Sequence, residues 1–353
     1  MDAALEGLRE RVLAAGRTGG RLRIRGAGTK DFLGEAFEGE LLDTRALAGV
    51  VDYEPSELVV TALAGTRLSG LESLLAGHGQ FLAFEPPAFG GDPTLGGIVA
   101  AGLSGPRRAS VGSVRDFVLG VELLAASGER LNFGGRVMKN VAGFDVARLL
   151  CGSFGILGLI VKVSVKVLPR PVAEATLAFE MGAAEAIESF NRWSRRPLPL
   201  SATSWYDGVA RIRLSGVASA VDAARATLGG TLLDAAAAGR WWRGLQDHTH
   251  PFLAAREPLW RVSVAATAPL LGLPGTKIVE WAGALRWLRT SAAAEDVREA
   301  ARRAGGSAAL WYGAGPTPVF EPLAPALMAI HRRLKAGFDP QGVFNPGRLA
   351  PGL

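Results

Sequence analysis

The chain has 353 residues, of which 48% are hydrophobic and 20% charged, so it can bury a sizeable core and is too apolar for a disordered chain. Its formal net charge is +6, but basic residues come at most in short pairs, which argues against a nucleic-acid partner. A single cysteine, Cys151, excludes an internal disulfide and an iron–sulfur cluster held by this chain's own thiolates. We therefore expect a reducing, cytoplasmic location.

The N-terminus predicts an amphipathic helix over residues 2–15, with Leu5, Leu8 and Val12 on one side. Its many charges argue against a signal peptide, and no uncharged apolar stretch of the chain reaches the length of a membrane span. Any association with a membrane is therefore expected to go through a partner.

Short β runs alternate with helices in the first half of the chain. The predicted elements are strands at 22–25, 58–62, 118–125, 130–133 and 157–168 and a helix at 69–77. Pro169 and Pro171 then disfavour a continued strand or helix, and we place a domain boundary there.

The second half mixes strands and helices before a tail rich in glycine and proline. The predicted elements are strands at 175–179, 209–214 and 259–265 and helices at 183–193, 218–228, 294–304 and 325–336. This order predicts an α+β domain whose sheet is covered on one face by helices.

The first of three glycine clusters, residues 25–30 with the sequence R-G-A-G-T-K, directly follows a predicted strand. Glycines there permit positive φ and let the backbone approach a ligand, and successive amides in such a turn form an anion-binding nest. A Rossmann fingerprint would need a third glycine where Asp31 stands, and no P-loop motif occurs. Taken alone, the cluster fits a plain tight turn equally well.

The second cluster covers residues 93–113 and the third covers residues 152–158. Ordering so many small residues is costly, so a flat ring system and a diphosphate would suit the space that the second cluster leaves. Close helix packing through glycine and alanine is the alternative there, and an ordinary turn is the alternative for the third cluster. Lys139 and Asp145, just before the third cluster, are expected to form a structural ion pair.

In chain order, the clusters and the tail resemble a known family. The motifs are R-G-A-G-T-K, P-T-L-G-G-I-V-A, V-G-S-V-R-D-F-V-L-G, G-G-R-V-M-K-N-V-A-G-F-D-V, G-S-F-G-I-L-G and the terminal F-D-P-Q-G-V-F-N-P-G-R. Their order is similar to the FAD-binding domain of the vanillyl-alcohol-oxidase/p-cresol-methylhydroxylase (PCMH) superfamily, and within it to the GlcE family of FAD-binding subunits of bacterial glycolate oxidases. The resemblance implies an α+β fold class, with a two-lobed PCMH-type FAD-binding domain at 1–171, an α+β (ferredoxin-like) cap domain at 172–337, and a tail at 338–353 that returns to the flavin.

The resemblance also implies which residues contact FAD. The first cluster would wrap the diphosphate, the second would line the isoalloxazine and the ribityl chain, and the third would lie near the diphosphate and the adenine. The residues expected to bind FAD are Arg25, Gly26, Ala27, Gly28, Thr29, Lys30, Pro93, Thr94, Leu95, Gly96, Gly97, Gly102, Ser110, Gly112, Ser113, Val114, Gly152, Ser153, Gly158, Ile160 and Asn345.

Two features differ from the wider superfamily. Many members attach FAD covalently through a histidine near the first or second cluster, but Thr29 and Lys30 stand in the first, and residues 86–116 contain no histidine or cysteine. We therefore predict non-covalent FAD. Relatives that oxidise D-2-hydroxy acids carry a histidine-rich stretch in the cap, whereas residues 310–316 contain no histidine.

Three arginines, Arg261, Arg286 and Arg348, are the candidate catalytic residues, because an arginine can hold a carboxylate bidentately. Structural packing is the alternative for Arg261 and Arg286. His248 and His250 have no third ligand nearby in sequence, so we expect a surface loop there and no metal site.

The resemblance implies an FAD-dependent oxidoreductase that acts on the CH–OH group of 2-hydroxy acids, within a glycolate oxidase complex that converts glycolate to glyoxylate. Its partners would be a sibling FAD subunit, an iron–sulfur subunit and a small 2-hydroxy acid, and the complex would be cytoplasmic or peripheral to the inner membrane. Whether this FAD accepts hydride or relays electrons stays open. The alternatives are a structural assembly subunit with a non-catalytic FAD, or a stand-alone flavin-dependent alcohol oxidase.

Overall fold

The computed structural model describes residues 2–36, 38–135, 144–255, 257–313 and 317–353. The strands are β1 (Leu22–Arg25), β2 (Glu40–Asp43), β3 (Val50–Glu54), β4 (Val59–Leu63), β5 (Gln80–Phe81), β6 (Val118–Leu124), β7 (Arg130–Gly134), β8 (Leu159–Lys166), β9 (Leu168–Pro169), β10 (Ala173–Glu180), β11 (Leu200–Tyr206), β12 (Val209–Gly216), β13 (Thr231–Leu232), β14 (Leu259–Ser263), β15 (Thr276–Glu280), β16 (Leu285–Arg289) and β17 (Ser307–Tyr312). The helices are α1 (Asp2–Thr18), α2 (Leu68–Gly77), α3 (Leu95–Ala101), α4 (Arg108–Val111), α5 (Val114–Phe117), α6 (Val146–Leu149), α7 (Ala183–Ser194), α8 (Ala218–Leu228), α9 (Ala235–Gln246), α10 (Pro251–Ala254), α11 (Ala294–Arg303) and α12 (Pro325–Phe338).

The chain divides into two compact units, each with its own sheet. The first unit contains Met1–Leu103, Ser113–Pro169 and Pro322–Leu353, and the second contains Ser104–Gly112 and Arg170–Glu321. The three domains that the family resemblance implies, at 1–171, 172–337 and 338–353, stay a proposal. None of the helices in the described ranges has both the length and the hydropathy needed to cross a bilayer.

The first unit contains an antiparallel five-stranded sheet in the order β3-β4-β8-β6-β7 and a parallel pair, β1 and β2. The predicted N-terminal helix is confirmed, because α1 buries Leu5, Leu8 and Val12 in one apolar core with the strands. Phe344 of the C-terminal tail lies in the same core and bridges to Leu22 of β1. The tail is thereby held beside the end of β1, where the first glycine cluster begins.

The second unit is built on an antiparallel eight-stranded sheet in the order β13-β10-β12-β11-β15-β16-β14-β17. Helices α7 and α8 pack with β10 and β12 around Phe190 and Ile212, and α11 packs with β14 and β17 around Val297 and Val262. The α+β fold class is confirmed, as are the predicted strands at β10, β12 and β14. The strands β11 and β15 to β17 were not predicted from the sequence. In such short segments the spacing of apolar residues does not distinguish a strand from another element.

Candidate functional site

A cavity of about 320 Å³ lies in the first unit. It is bounded by the end of β1 and the loop that follows, the start of α3, the beginning of β8 and the C-terminal tail. Its volume is at the lower end of the range of roughly 300–1,000 Å³ that is typical of small-molecule sites. The cavity is therefore the candidate cofactor site of this unit.

The loop of residues 26–30, here called the glycine loop, lines this cavity along its whole length. The carbonyl groups of Gly28 and Lys30 accept hydrogen bonds from Asp31 N and Leu33 N, each at 3.1 Å. The five amides of the glycine loop itself donate no hydrogen bond to the described residues. Successive amides without protein acceptors form an anion-binding nest, so the loop is suited to a phosphate or diphosphate.

Two glycines allow the glycine loop to turn sharply and to pass close to the start of α3. Gly28 has a φ of +75°, which favours glycine. A Cβ on Gly26 would lie 2.1 Å from Thr94 Oγ1, so the loop can approach the start of α3 only without a side chain there. Thr94 caps α3, and its Oγ1 accepts from Gly97 N at 3.4 Å. The first and second glycine clusters are thereby brought together at the cavity.

Lys30 supplies positive charge at the end of the glycine loop. Its Nζ donates to Thr29 Oγ1 at 3.2 Å and lies 5.5 Å from the ring centre of Phe89. Burial disfavours the charged form and lowers the pKa of Lys30 to about 8. An anionic group beside this amine would restore the charged form.

The C-terminal tail contributes Asn345 and Arg348 to the wall of the cavity. Arg348 donates to the backbone carbonyl groups of Lys30, Asp31 and Glu35 at 3.3, 3.0 and 3.1 Å. These contacts hold the backbone that follows the glycine loop. They support a positioning role for Arg348, and its predicted catalytic role stays a prediction.

Many of the predicted FAD contacts meet at this cavity. The predicted residues that line it are Arg25, Gly26, Ala27, Gly28, Thr29, Lys30, Pro93, Thr94, Gly96, Gly97, Gly158, Ile160 and Asn345. Lining residues that the sequence did not single out are Arg23, Ile24, Asp31, Ala36, Thr44, Ala64, Ala100, Ala101, Phe154, Gly155 and Leu159. Five of the latter come from strands and helices and six from turns and loops, and in both cases only the tertiary fold decides which residues face a ligand.

Other predicted contacts lie away from this cavity. Ser110 and Gly112 belong to the second unit, where Ser110 Oγ donates to Ser201 O at 2.9 Å. Six predicted contacts belong to the first unit but do not line the cavity, namely Leu95, Gly102, Ser113, Val114, Gly152 and Ser153. A Cβ on Gly102 would lie 2.8 Å from Gly152 Cα, so close backbone packing already accounts for Gly102, and Gly152 has a φ of +81°, which favours glycine. The role of all eight residues in binding FAD stays a prediction.

Part of one family motif lies outside the described residues. The segment 136–143 includes Lys139, so the expected ion pair with Asp145 cannot be placed. Within the described chain, Asp145 pairs with Arg148, with 3.0 Å between Oδ2 and Nε. Burial raises the pKa of the Cys151 thiol to about 12, which agrees with an inert thiol.

In the second unit, three tryptophans surround the guanidinium of Arg261. Its Cζ lies 5.4 Å from the ring centre of Trp281, 5.9 Å from that of Trp287 and 6.0 Å from that of Trp311. Burial, with a smaller contribution from Arg108, lowers the pKa of Arg261 to about 10, so it stays charged at pH 7. The negative charge of Glu280 opposes this shift, and Nη1 of Arg261 donates to Ser263 Oγ at 3.3 Å. This arrangement could hold a small carboxylate.

His248 lies in the turn between α9 and α10, where the sequence predicts a surface loop, but the residue is half-buried and its ring packs in the same aromatic cluster. Its ring stacks on Trp311 at 5.5 Å between centroids and meets Trp287 edge-on at 4.8 Å. Burial, and to a lesser extent Arg261, lowers the pKa of His248 to about 3, so the ring is neutral at pH 7. His250 instead caps α10, since its Nδ1 accepts from Phe252 N at 3.2 Å.

Arg286 differs from Arg261 in its surroundings. Its guanidinium donates to the backbone carbonyl groups of Gly283 at 3.1 Å, Pro269 at 2.6 Å and Ala268. Only 2% of the residue is exposed. These are the contacts of a structural arginine, and the predicted catalytic role of Arg286 stays a prediction.

The chain is similar to known proteins in sequence and in fold. The family model described as "FAD binding domain" matches residues 5–134, so the chain contains an FAD-binding domain. Among solved structures, alkyldihydroxyacetonephosphate synthase has a similar fold, with a TM-score of 0.66 at 16% identity over 96% of this chain and 74% of that chain. At this identity the likeness concerns the fold alone.

This chain's relatives include a dehydrogenase and two glycolate oxidase subunits. D-lactate dehydrogenase of Archaeoglobus fulgidus is 30% identical over 46% of this chain and 37% of its own length. Glycolate oxidase subunit GlcD of Bacillus subtilis is 31% identical over 36% of this chain and 27% of its own length. Glycolate oxidase subunit GlcE of Escherichia coli is 45% identical over 93% of this chain and 92% of its own length. The chain therefore belongs to the family of the glycolate oxidase subunit GlcE.

Proposed function

We propose that this chain is the FAD-holding subunit of a glycolate oxidase complex that converts glycolate to glyoxylate. The observation that carries the proposal is the glycine loop, whose five residues line a cavity and whose amides donate no hydrogen bond to the described residues, in a chain with near full-length similarity to GlcE. FAD, when bound, supplies the two-electron acceptor for oxidation of the CH–OH group. The chain's own residues bind and orient it.

In this proposal the diphosphate of FAD lies against the amides of the glycine loop and near Lys30. Arg348 keeps the backbone after the loop in place through its contacts with three carbonyl groups. The described lining residues offer no histidine or cysteine for attachment, which supports non-covalent FAD. The partners would be a sibling FAD subunit and an iron–sulfur subunit in the cytoplasm, peripheral to the inner membrane through the complex.

Arg261 is the residue that we propose to hold the carboxylate of the 2-hydroxy acid. It combines a charged guanidinium with three aromatic neighbours, and the attraction of Glu280 contributes less to its pKa than burial does. A charge held among aromatic rings has little competing hydration, which strengthens its attraction for an anion. We infer substrate binding within the complex, whether the hydride passes to this FAD or to that of a partner.

The test is glycolate-dependent dye reduction by the assembled complex and by each subunit alone. Arg261→Met should raise the KM for glycolate at least tenfold in the complex, with unchanged FAD content. Arg211→Met is the matched control. Arg211 lies on β12 of the same sheet as Arg261, its Cζ is 3.8 Å from the ring centre of Trp241, and it has no proposed role. An unchanged KM for Arg261→Met would remove Arg261 from the proposal.

The same assay separates the alternatives. Activity of this chain alone would favour a stand-alone oxidase. Full activity of a complex whose copy of this chain lacks FAD would favour a structural assembly subunit. Reduction of this FAD only in the presence of its partners would favour electron relay.

A further inference from the structure

A buried ion pair joins the last helix to the C-terminal tail. Lys335 Nζ lies 2.6 Å from Asp339 Oδ2, and the two side chains are 10% and 0% exposed. Lys335 is the buried residue of α12, whose other positions are exposed or half-buried. Burying two charges is costly unless their remaining donors and acceptors are also satisfied, so the contacts of this pair require explanation.

The pair has a full set of hydrogen bonds. The ammonium of Lys335 donates to Ile156 O at 2.6 Å and to Phe344 O at 2.8 Å, besides its contact with Asp339. An ammonium has three protons, so each has an acceptor. The carboxylate of Asp339 accepts from Val343 N at 2.9 Å and from Phe344 N at 2.8 Å. The pair therefore fixes both the amide and the carbonyl of Phe344, together with the turn at Ile156.

The next residue, Asn345, forms part of the cavity wall. Its Oδ1 accepts from Ile24 N at 2.8 Å, and its Nδ2 donates to Phe154 O at 2.6 Å. Ile24, Phe154 and Asn345 all line the cavity. The side chain of Asn345 thus links β1 to the third glycine cluster. Lys335 and Asp339 hold the backbone of Phe344, directly before Asn345, and Lys335 also holds Ile156, two residues after Phe154.

We propose that Lys335 and Asp339 are positioning residues for cofactor binding, which fix the tail and the turn at Ile156 so that Asn345 closes the cavity wall. The inference rests on the proposed binding of FAD at this cavity. Neither residue lines the cavity, so the pair acts through Phe344 and Ile156. An apolar pair could pack at this place, but it could not hold two backbone carbonyls and two backbone amides in fixed directions.

The test uses Lys335→Met and Asp339→Asn in the full chain, with Leu75→Ala as the matched control. Leu75 is a fully buried residue of α2 that does not line the cavity. Its truncation therefore lowers stability without changing the contacts of Lys335 and Asp339. Hydrogen exchange of the peptides that contain Ile24 and Asn345 is measured without FAD, and the Kd for FAD is measured by flavin fluorescence.

Lys335→Met should speed exchange in these two peptides and raise the Kd for FAD by at least tenfold. Asp339→Asn keeps the shape of the side chain but only one acceptor oxygen, so it loses the contact with one of the two backbone amides and weakens the contact with Lys335, and it should show the same effects. Leu75→Ala should lower the melting temperature and leave both readouts at wild-type values.

Wild-type exchange and wild-type Kd in Lys335→Met and Asp339→Asn would overturn the proposal. If exchange at Ile24 and Asn345 rises but the wild-type chain shows no saturable uptake of FAD, Lys335 and Asp339 only stabilise the structure, and their proposed role in cofactor binding fails. Saturable uptake with the same Kd in all variants would leave the FAD site intact and refute the positioning role.

Discussion

The affinity for FAD should depend on pH through Lys30. In the chain without ligand, burial lowers the pKa of Lys30 to about 8. The diphosphate favours the charged amine, so binding raises this pKa and takes up a proton. The protonated fraction of the free chain falls from about nine-tenths at pH 7 to about one-tenth at pH 9. Affinity should therefore be highest below pH 8 and weaken about tenfold between pH 7 and pH 9, or about 1.4 kcal/mol.

Fluorescence titration of FAD at a series of pH values measures this dependence. Lys30→Arg keeps a permanent charge and should give a nearly constant Kd over the same range. Lys30→Met should also give a constant Kd, but a weaker affinity at pH 7. A wild-type Kd that does not change from pH 7 to pH 9, or a slope that persists in Lys30→Arg, would refute the placement of Lys30 beside the diphosphate.

Three further predictions concern the first unit. Gly26→Ala should raise the Kd for FAD at least tenfold, because its Cβ would lie 2.1 Å from Thr94 Oγ1, whereas Gly77→Ala, with open space around it, should leave the Kd unchanged in the same titration. Arg348→Met should free the backbone after the glycine loop, seen as faster hydrogen exchange there and a higher Kd, and unchanged exchange would contradict its positioning role. Alkylation of Cys151 by iodoacetamide at pH 8 should be about a thousandfold slower in the folded chain than in urea, because its thiol pKa is about 12, and equal rates would contradict this burial.

The first glycine cluster shows how far a sequence can specify a site. Residues 25–30 follow a strand, and their composition alone indicates a turn that suits an anion. That they line a cavity with Thr94, Gly158 and Asn345 depends on contacts between segments far apart in the chain. The order of motifs across the family supplied that information, because a family pattern reflects the tertiary fold.

The second cluster shows where such reasoning ends. Ser110 and Gly112 belong to the second unit, although their sequence continues the small-residue run of the first. A change of unit within a run of similar composition leaves no local signal. The eight predicted residues that do not line the cavity include glycines with structural reasons of their own, which are close packing at Gly102 and a positive φ at Gly152.

The ring contacts of His248 could not be predicted for a similar reason. A histidine between Asp247 and Thr249 reads as a polar loop, and its stacking partners Trp287 and Trp311 lie about 40 and 60 positions further along. The contact exists because β16 and β17 both flank β14 in the sheet. Strand order of this kind is decided by the whole sheet and by no single segment.

A crystal structure of the chain with FAD tests the central claim most directly. The account predicts diphosphate oxygens within about 2.7–3.2 Å of amide nitrogens of the glycine loop, with Lys30 beside them. FAD bound with its diphosphate elsewhere, and with the amides of residues 26–30 turned to solvent, would contradict it.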